Sequence, residues 1–155
     1  MHFCSDRDMT AAPTGLLRTV AASTLATASA LHVAWGRGST FPFASDGALT
    51  ANVVGSSRAP SPASCFGVAA CLGMAAAVVA VPARGRLHQL ALAGLAAGFA
   101  TRATFGFAGR TDLLVPGSAS PTFRRNDRRV LSPLCAALAL GIAIPTVADW
   151  GAGRR

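Results

Sequence analysis

An arginine set among glycines at four-residue spacing, Gly94, Gly98, Arg102 and Gly106, is the arrangement in this sequence with the clearest chemical potential. Residues four apart share a helix face, so the stripe predicts a groove of glycines holding one guanidinium. Glycine faces let membrane helices approach until their backbones touch, which assigns Gly94, Gly98 and Gly106 to packing against another helix. Arg102 has two readings. With its Cα about 8 Å below a membrane interface, at about 1.5 Å of rise per residue, it can snorkel outward. Alternatively it turns inward and pairs with Asp127 or with helix-end carbonyls, where it can bind an anionic ligand.

The other side chains able to hold a ligand or move a proton are His32, Trp35, Asp127, Arg129, Ser132 and Cys135. Each also has a plain structural role. His32 can bond a carbonyl of its own helix, Trp35 can sit at an interface, and Asp127 can meet a helix dipole. Ser132 followed by Pro133 reads as a helix start, with a capping hydroxyl and a proline at the first helical position. Cys135 becomes reactive only if nearby arginines stabilise its thiolate. No Ser-His-Asp order, phosphate loop or metal spacing is present, so no catalytic residue, metal or cofactor is assigned. Cys4, Cys65, Cys71 and Cys135 form no metal-ligand pattern. Cys65 and Cys71 lie on largely different faces of one helix and read as small buried residues.

The elements that must position these residues are four apolar stretches bounded by charge. The gaps run from Arg18 to Arg37, Arg58 to Arg84, Arg86 to Arg110 with Arg102 inside, and Arg129 to Asp149. A helix crossing a hydrocarbon layer about 30 Å thick needs roughly 20 mostly apolar residues, and each gap approaches that length. The sequence therefore predicts an all-α fold, an antiparallel four-helix bundle in a membrane, with spans at 14–35, 61–82, 87–107 and 132–150. Residues 1–13 read as a flexible tail and 151–155 as a short C-terminal tail. The first span is weak, because Ser23, Thr24, Thr27, Ser29 and His32 dilute its apolar residues. An alternative makes it a cleaved leader ending at Ala28-Ser29-Ala30. The second span is the clearest, with Pro62 in its first turn and Pro82 past its last. A short turn at Arg84 and Arg86 makes the second and third spans antiparallel neighbours. Residues 36–61 read as a loop and 109–128 as a basic connector.

In 155 residues, four spans leave no room for a soluble domain of ordinary size. The net charge of +8 and pI near 11.4 come from arginine alone, since lysine is absent. Those arginines punctuate apolar segments rather than gather on a soluble face, which argues against nucleic acid as a partner. The expected partners are the lipid bilayer and a second copy or another membrane protein. Even threading places the C-terminal ends of the first and third spans beside the N-terminal ends of the second and fourth. That end collects His32, Trp35, Arg102, Asp127, Arg129, Ser132 and Cys135, while Arg84, Arg86, His88 and Asp149 flank the other as ordinary charges.

At these residues the chain resembles the domain of unknown function 3995 family, small bacterial membrane proteins with four predicted helices. Leu31-His32-Val33-Ala34-Trp35-Gly36 resembles a His-x-x-Trp block, and Arg102-Ala103-Thr104-Phe105-Gly106-Phe107 resembles an Arg-x-x-Gly-Asp-Phe block. The segment from Phe123 through Asp127 to Ser132-Pro133-Leu134-Cys135 is similar to a Phe-x-x-x-Asp-x-x-x-Tyr-Ser-Pro-Leu-Cys signature. Gly106 and Leu131 depart from the aspartate and tyrosine of those blocks. The resemblance implies a bacterial cytoplasmic membrane and four spans, and no activity. Two functions follow as expectations: a non-enzymatic packing or interaction module, favoured because no nucleophile or metal set is present, and a small carrier or membrane enzyme using Arg102. Seven loop arginines on the polar end against six on the other leave the inside-outside orientation open.

Overall fold

A computed structural model describes residues 6–55, 59–115 and 120–152 of the chain. Among these residues every regular element is helical. The long helices are α1 (Asp6–Gly36), α3 (Pro62–Ala80), α4 (Gly85–Phe107) and α6 (Ser132–Ala152). Two short ones, α2 (Asp46–Leu49) and α5 (Pro121–Asn126), lie in the connections. α2 runs into a π turn at Thr50–Val54, and a 3₁₀ turn spans Thr111–Leu113. α3, α4 and the continuous helix Pro121–Gly151 are each long and apolar enough to cross a membrane. α1 does not reach that hydropathy.

The threonines that weaken α1 are satisfied within the helix. Thr19, Thr24 and Thr27 donate to the carbonyls of Gly15, Val20 and Ser23, at 3.0, 2.8 and 2.9 Å. Hydroxyls bonded back to their own helix carry little unsatisfied polarity to the surface. Ser29 instead reaches across to the Ala69 carbonyl of α3 at 2.7 Å. The small-residue run Ala28-Ser29-Ala30 thus lies inside α1 and against a neighbour.

Side-chain contacts set the direction of every helix. Ser29 meets Ala69, Gly141 meets Ala21 and Leu17, and Gln89 accepts a hydrogen bond from the Trp150 indole. With Gly36 against Phe66, Arg18 paired to Asp149 and Gly106 against Ser132, these place α1 antiparallel to α3 and α6, and α4 antiparallel to α6. At the α3–α4 turn, His88 Nδ1 accepts from the Arg84 amide at 3.2 Å, so Nε2 carries the proton and donates to Val78 O at 2.9 Å. α3 and α4 are antiparallel, as their short turn demands, but away from that turn their seam is open. A groove there is lined by Cys71, Met74, Val78, Gly94 and Leu95. Cys71 is exposed on it rather than buried, whereas Cys65 is buried and Cys135 half-buried.

Leu25, Val79, Leu92 and Ile142 centre the core, surrounded by Ala21, Ala75, Ala76 and Ala96. The large aliphatics Leu16, Met74, Leu90, Leu140, Ile144 and Val147 lie outside. Large aliphatic side chains therefore cover much of the outside of the bundle as well as filling its core together with alanines. At the end away from the site, Arg18 pairs with Asp149 at 2.6 Å, and the same carboxylate oxygen accepts from the Ala83 amide at 3.1 Å. Asp149 thus joins α1, α6 and the α3–α4 turn, a role its reading as an ordinary flank had missed.

Two helix boundaries differ from expectation. α1 begins at Asp6, so of the expected tail only residues 1–5 fall outside the described residues, as does 153–155 at the other end. The fourth long helix begins at Pro121 rather than Ser132. Ser120 caps it by accepting from the Phe123 amide at 3.2 Å, and Pro121 takes the first position. Ser132 is an interior residue, preceded by a π turn at Asp127–Leu131 in which the Ser132 amide bonds Asp127 O. Pro133 lacks an amide for the next bond and crowds the preceding turn, which accounts for the widened backbone at this point.

Candidate functional site

Arg102 lies on α4 about a turn and a half before its end, opposite the π turn that carries Asp127. Its guanidinium forks onto the carboxylate, Nη2 donating to Oδ1 at 2.5 Å and Nη1 to Oδ2 at 3.4 Å. Asp127 is 1% exposed and Arg102 27%, so the pair is buried on its anionic side and open on its cationic one. Removing one partner of such a pair leaves the other without its counter-charge.

Gly106, one turn beyond Arg102, makes the close approach possible. A Cβ there would stand 1.9 Å from Ser132 Oγ, 2.6 Å from Asp127 Oδ2 and 2.7 Å from Arg102 Nη1. The glycine stripe therefore divides. Gly106 packs against α6 and the ion pair, whereas at Gly94 and Gly98 a Cβ would meet nothing within 4 Å among the described residues beyond its own helix. Gly94 lines the open α3–α4 groove, across from Cys71, Met74 and Val78, without close contact.

Beside the pair is a cavity of about 410 Å³. His32 and Trp35 line it from α1, Ser64, Cys65 and Val68 from α3, and Arg102 from α4. Its cover comes from the connections: Leu49, Val53 and Val54 from the first, Thr111, Val115 and Phe123 from the second. The two connections are tied together. Asn126 donates to Asn52, and the Ser120 amide to Gly55 O at 3.3 Å. Gly55 has φ +76°, and a Cβ on it would meet the Phe123 ring at 2.5 Å. Gly55→Ala should therefore destabilise the cover by at least about 1–2 kcal/mol from the left-handed backbone alone. Thermal unfolding of the detergent-solubilised variant checks this, and an unchanged midpoint would contradict it.

The residues read from the sequence do not all converge. His32, Trp35 and Arg102 line the cavity, and Asp127 backs it through Arg102. Ser132 is fully buried behind the pair, its hydroxyl without a hydrogen-bond partner among the described residues. Cys135 is half-buried further along α6 and lines no part of the cavity. Arg129 is exposed on the π turn and leaves the site altogether. His32 Nδ1 lies 2.8 Å from Ala28 O, and its ring sits 4.8 Å from that of Trp35. The Trp35 indole donates to Phe41 O at 2.7 Å. Thr111 was not foreseen: it is 2% exposed, borders the cavity, and has a hydroxyl without a partner among the described residues. A lone threonine in a Gly- and Pro-rich connector carries no periodic signal. Among the described residues no three His, Cys or Asp side chains come together in a metal-binding group.

A bundle of greasy helices with a mostly apolar pocket, edged by a few polar side chains, at one end defines the class. A family model described as "Protein of unknown function (DUF3995)" matches residues 25–142, and the chain belongs to that family. Neither a curated protein nor a solved structure matches the chain. The matched region contains both halves of the Arg102–Asp127 pair. In the Phe123 to Cys135 block, Phe123 covers the cavity, Asp127 holds Arg102, Ser132 packs on Gly106 and Pro133 follows the π turn.

Proposed function

We propose that the protein is a four-span integral membrane protein of a bacterial cytoplasmic membrane that binds a small amphiphile in the covered cavity and is not an enzyme. The distribution of apolar residues supports the membrane part. Leu, Ile, Met and Val cover much of the outside of the bundle as well as its core, a broad apolar surface that water does not select. α1 then inserts with its neighbours, its hydroxyls bonded inward, and lipid covers the rest.

The single observation that carries the ligand reading is the cavity itself. Apolar walls with a few convergent polar groups are the usual makeup of a small-molecule site, and about 410 Å³ lies within the usual size range. Organic extraction of the protein purified in detergent tests this reading. The wild type should release a retained amphiphile that is missing from Val68→Trp, in which an indole fills the cavity. Identical extracts from both would remove the reading.

A second reading keeps the protein as a packing module. Gly94 and Gly98 lie on the open α3–α4 side, where a second copy or another membrane protein could approach their backbone.

A further inference from the structure

The cavity's polar groups select among amphiphiles, and this step rests on the ligand reading above. In the alternative reading of the sequence, Arg102 attracts an anion. Its charge, however, is already met by Asp127, both of whose oxygens face the guanidinium. An anion entering here would lose its water without gaining an uncompensated cation, and would lie near a buried carboxylate. A guanidinium has five N–H donors and the pair uses two, so Arg102 retains donors for an uncharged oxygen.

His32 supplies the complementary half. Because Nδ1 meets the Ala28 carbonyl, the neutral ring carries its proton there. Nε2 is then an acceptor, and no partner for it is seen among the described residues. Thr111 adds a hydroxyl without a partner, which a turn about χ1 exchanges with its methyl. Donors on one wall and an acceptor on another suit a group that both accepts and donates, and a hydroxyl does so without charge. The rest of the lining is mostly apolar. At roughly 30 Å³ for each water-sized unit of liquid, the space holds about fourteen non-hydrogen atoms.

We propose that the cavity binds an uncharged, hydroxyl-headed lipid of single-chain size, a long-chain alcohol or its like, whose oxygen accepts from Arg102 and whose hydrogen is donated to His32 Nε2. Trp35 lines the site and serves as reporter once the other tryptophan is removed in Trp150→Phe. The probes are 11-bromoundecan-1-ol and 11-bromoundecanoate, in detergent at pH 9, where the acid is ionised. The alcohol should quench Trp35 saturably, at a concentration at least about tenfold below that needed for the carboxylate. His32→Phe should weaken the alcohol about three- to tenfold, the loss of one neutral hydrogen bond. Thr111→Val, nearly isosteric and removing a hydroxyl that lacks a partner, should also weaken it while raising the thermal midpoint of the unliganded protein. Tighter binding of the carboxylate would overturn the hydroxyl preference and leave the ligand site standing. Alcohol binding unchanged in both variants would also overturn it. Absence of saturable quenching by either probe would remove the preference and the ligand site together.

Discussion

Arg102→Met should destabilise the detergent-solubilised protein by about 3–5 kcal/mol, and by more than Asp127→Asn does. The asymmetry follows from burial. Asp127 is 1% exposed, so removing Arg102 strands a carboxylate with neither water nor counter-charge. Arg102 is 27% exposed, so when Asp127 is neutralised its guanidinium can turn toward the cavity, and the loss is reduced to about 1–3 kcal/mol. The double variant Arg102→Met/Asp127→Asn should recover much of the larger loss, because it removes both charges at once. A thermodynamic cycle over the four proteins reads the coupling. Additive losses, or a larger effect for Asp127→Asn, would mean that the two side chains are not held as the structure has them.

Gly106→Ala should cost about 1–3 kcal/mol, the range for forcing a methyl into a packed interior. The added carbon would overlap Ser132 Oγ first and the ion pair next. Ser132→Ala in the same chain removes the nearest atom, and its hydroxyl has no partner to lose, so the double variant should regain part of the stability. Gly106→Asp should be worse than alanine, since it sets a second carboxylate beside Asp127. The departure of this chain from the aspartate implied by the family likeness thus has a steric consequence: Gly106 leaves Asp127 room to take the arginine. A Gly106→Ala protein as stable as the wild type would show that α4 and α6 do not approach so closely.

The gross layout could be read from charge alone. Arginines and aspartates mark the ends of the apolar runs, so four helices and their antiparallel order follow from where charge is absent. Threading then brings His32, Trp35 and Arg102 to one end without any contact being known. The start of the last long helix was read at Ser132-Pro133, and the same signal at Ser120-Pro121 went unread. Ser120-Pro121 and Ser132-Pro133 both look like a cap followed by a first-turn proline, and hydropathy rises only after the second. The chain uses the first and absorbs the second proline beside a π turn, which no periodicity announces. Arg129 was misplaced for the same reason, since the turn rotates it out to the surface. The cover over the cavity was illegible because it is made of irregular segments. The bond between Asn52 and Asn126 and the fit of Phe123 over Gly55 depend on two distant loops meeting, and neither loop has a repeating pattern. The glycine stripe was half legible: spacing shows that Gly94, Gly98 and Gly106 share a face, but only the bundle shows that the face meets α6 at one end and opens outward at the other.

The claim beneath the whole account is that the four long helices cross a membrane with the cavity at one surface. Single cysteines placed in a cysteine-free background at Ala44, Leu114 and Arg84, probed in sealed vesicles with a membrane-impermeant maleimide, test it most directly. Ala44 and Leu114, in the two connections at the cavity end, should react from the same side, and Arg84, in the α3–α4 turn, only from the other. Reaction of all three from one side, or of Ala44 and Leu114 from opposite sides, would contradict the account.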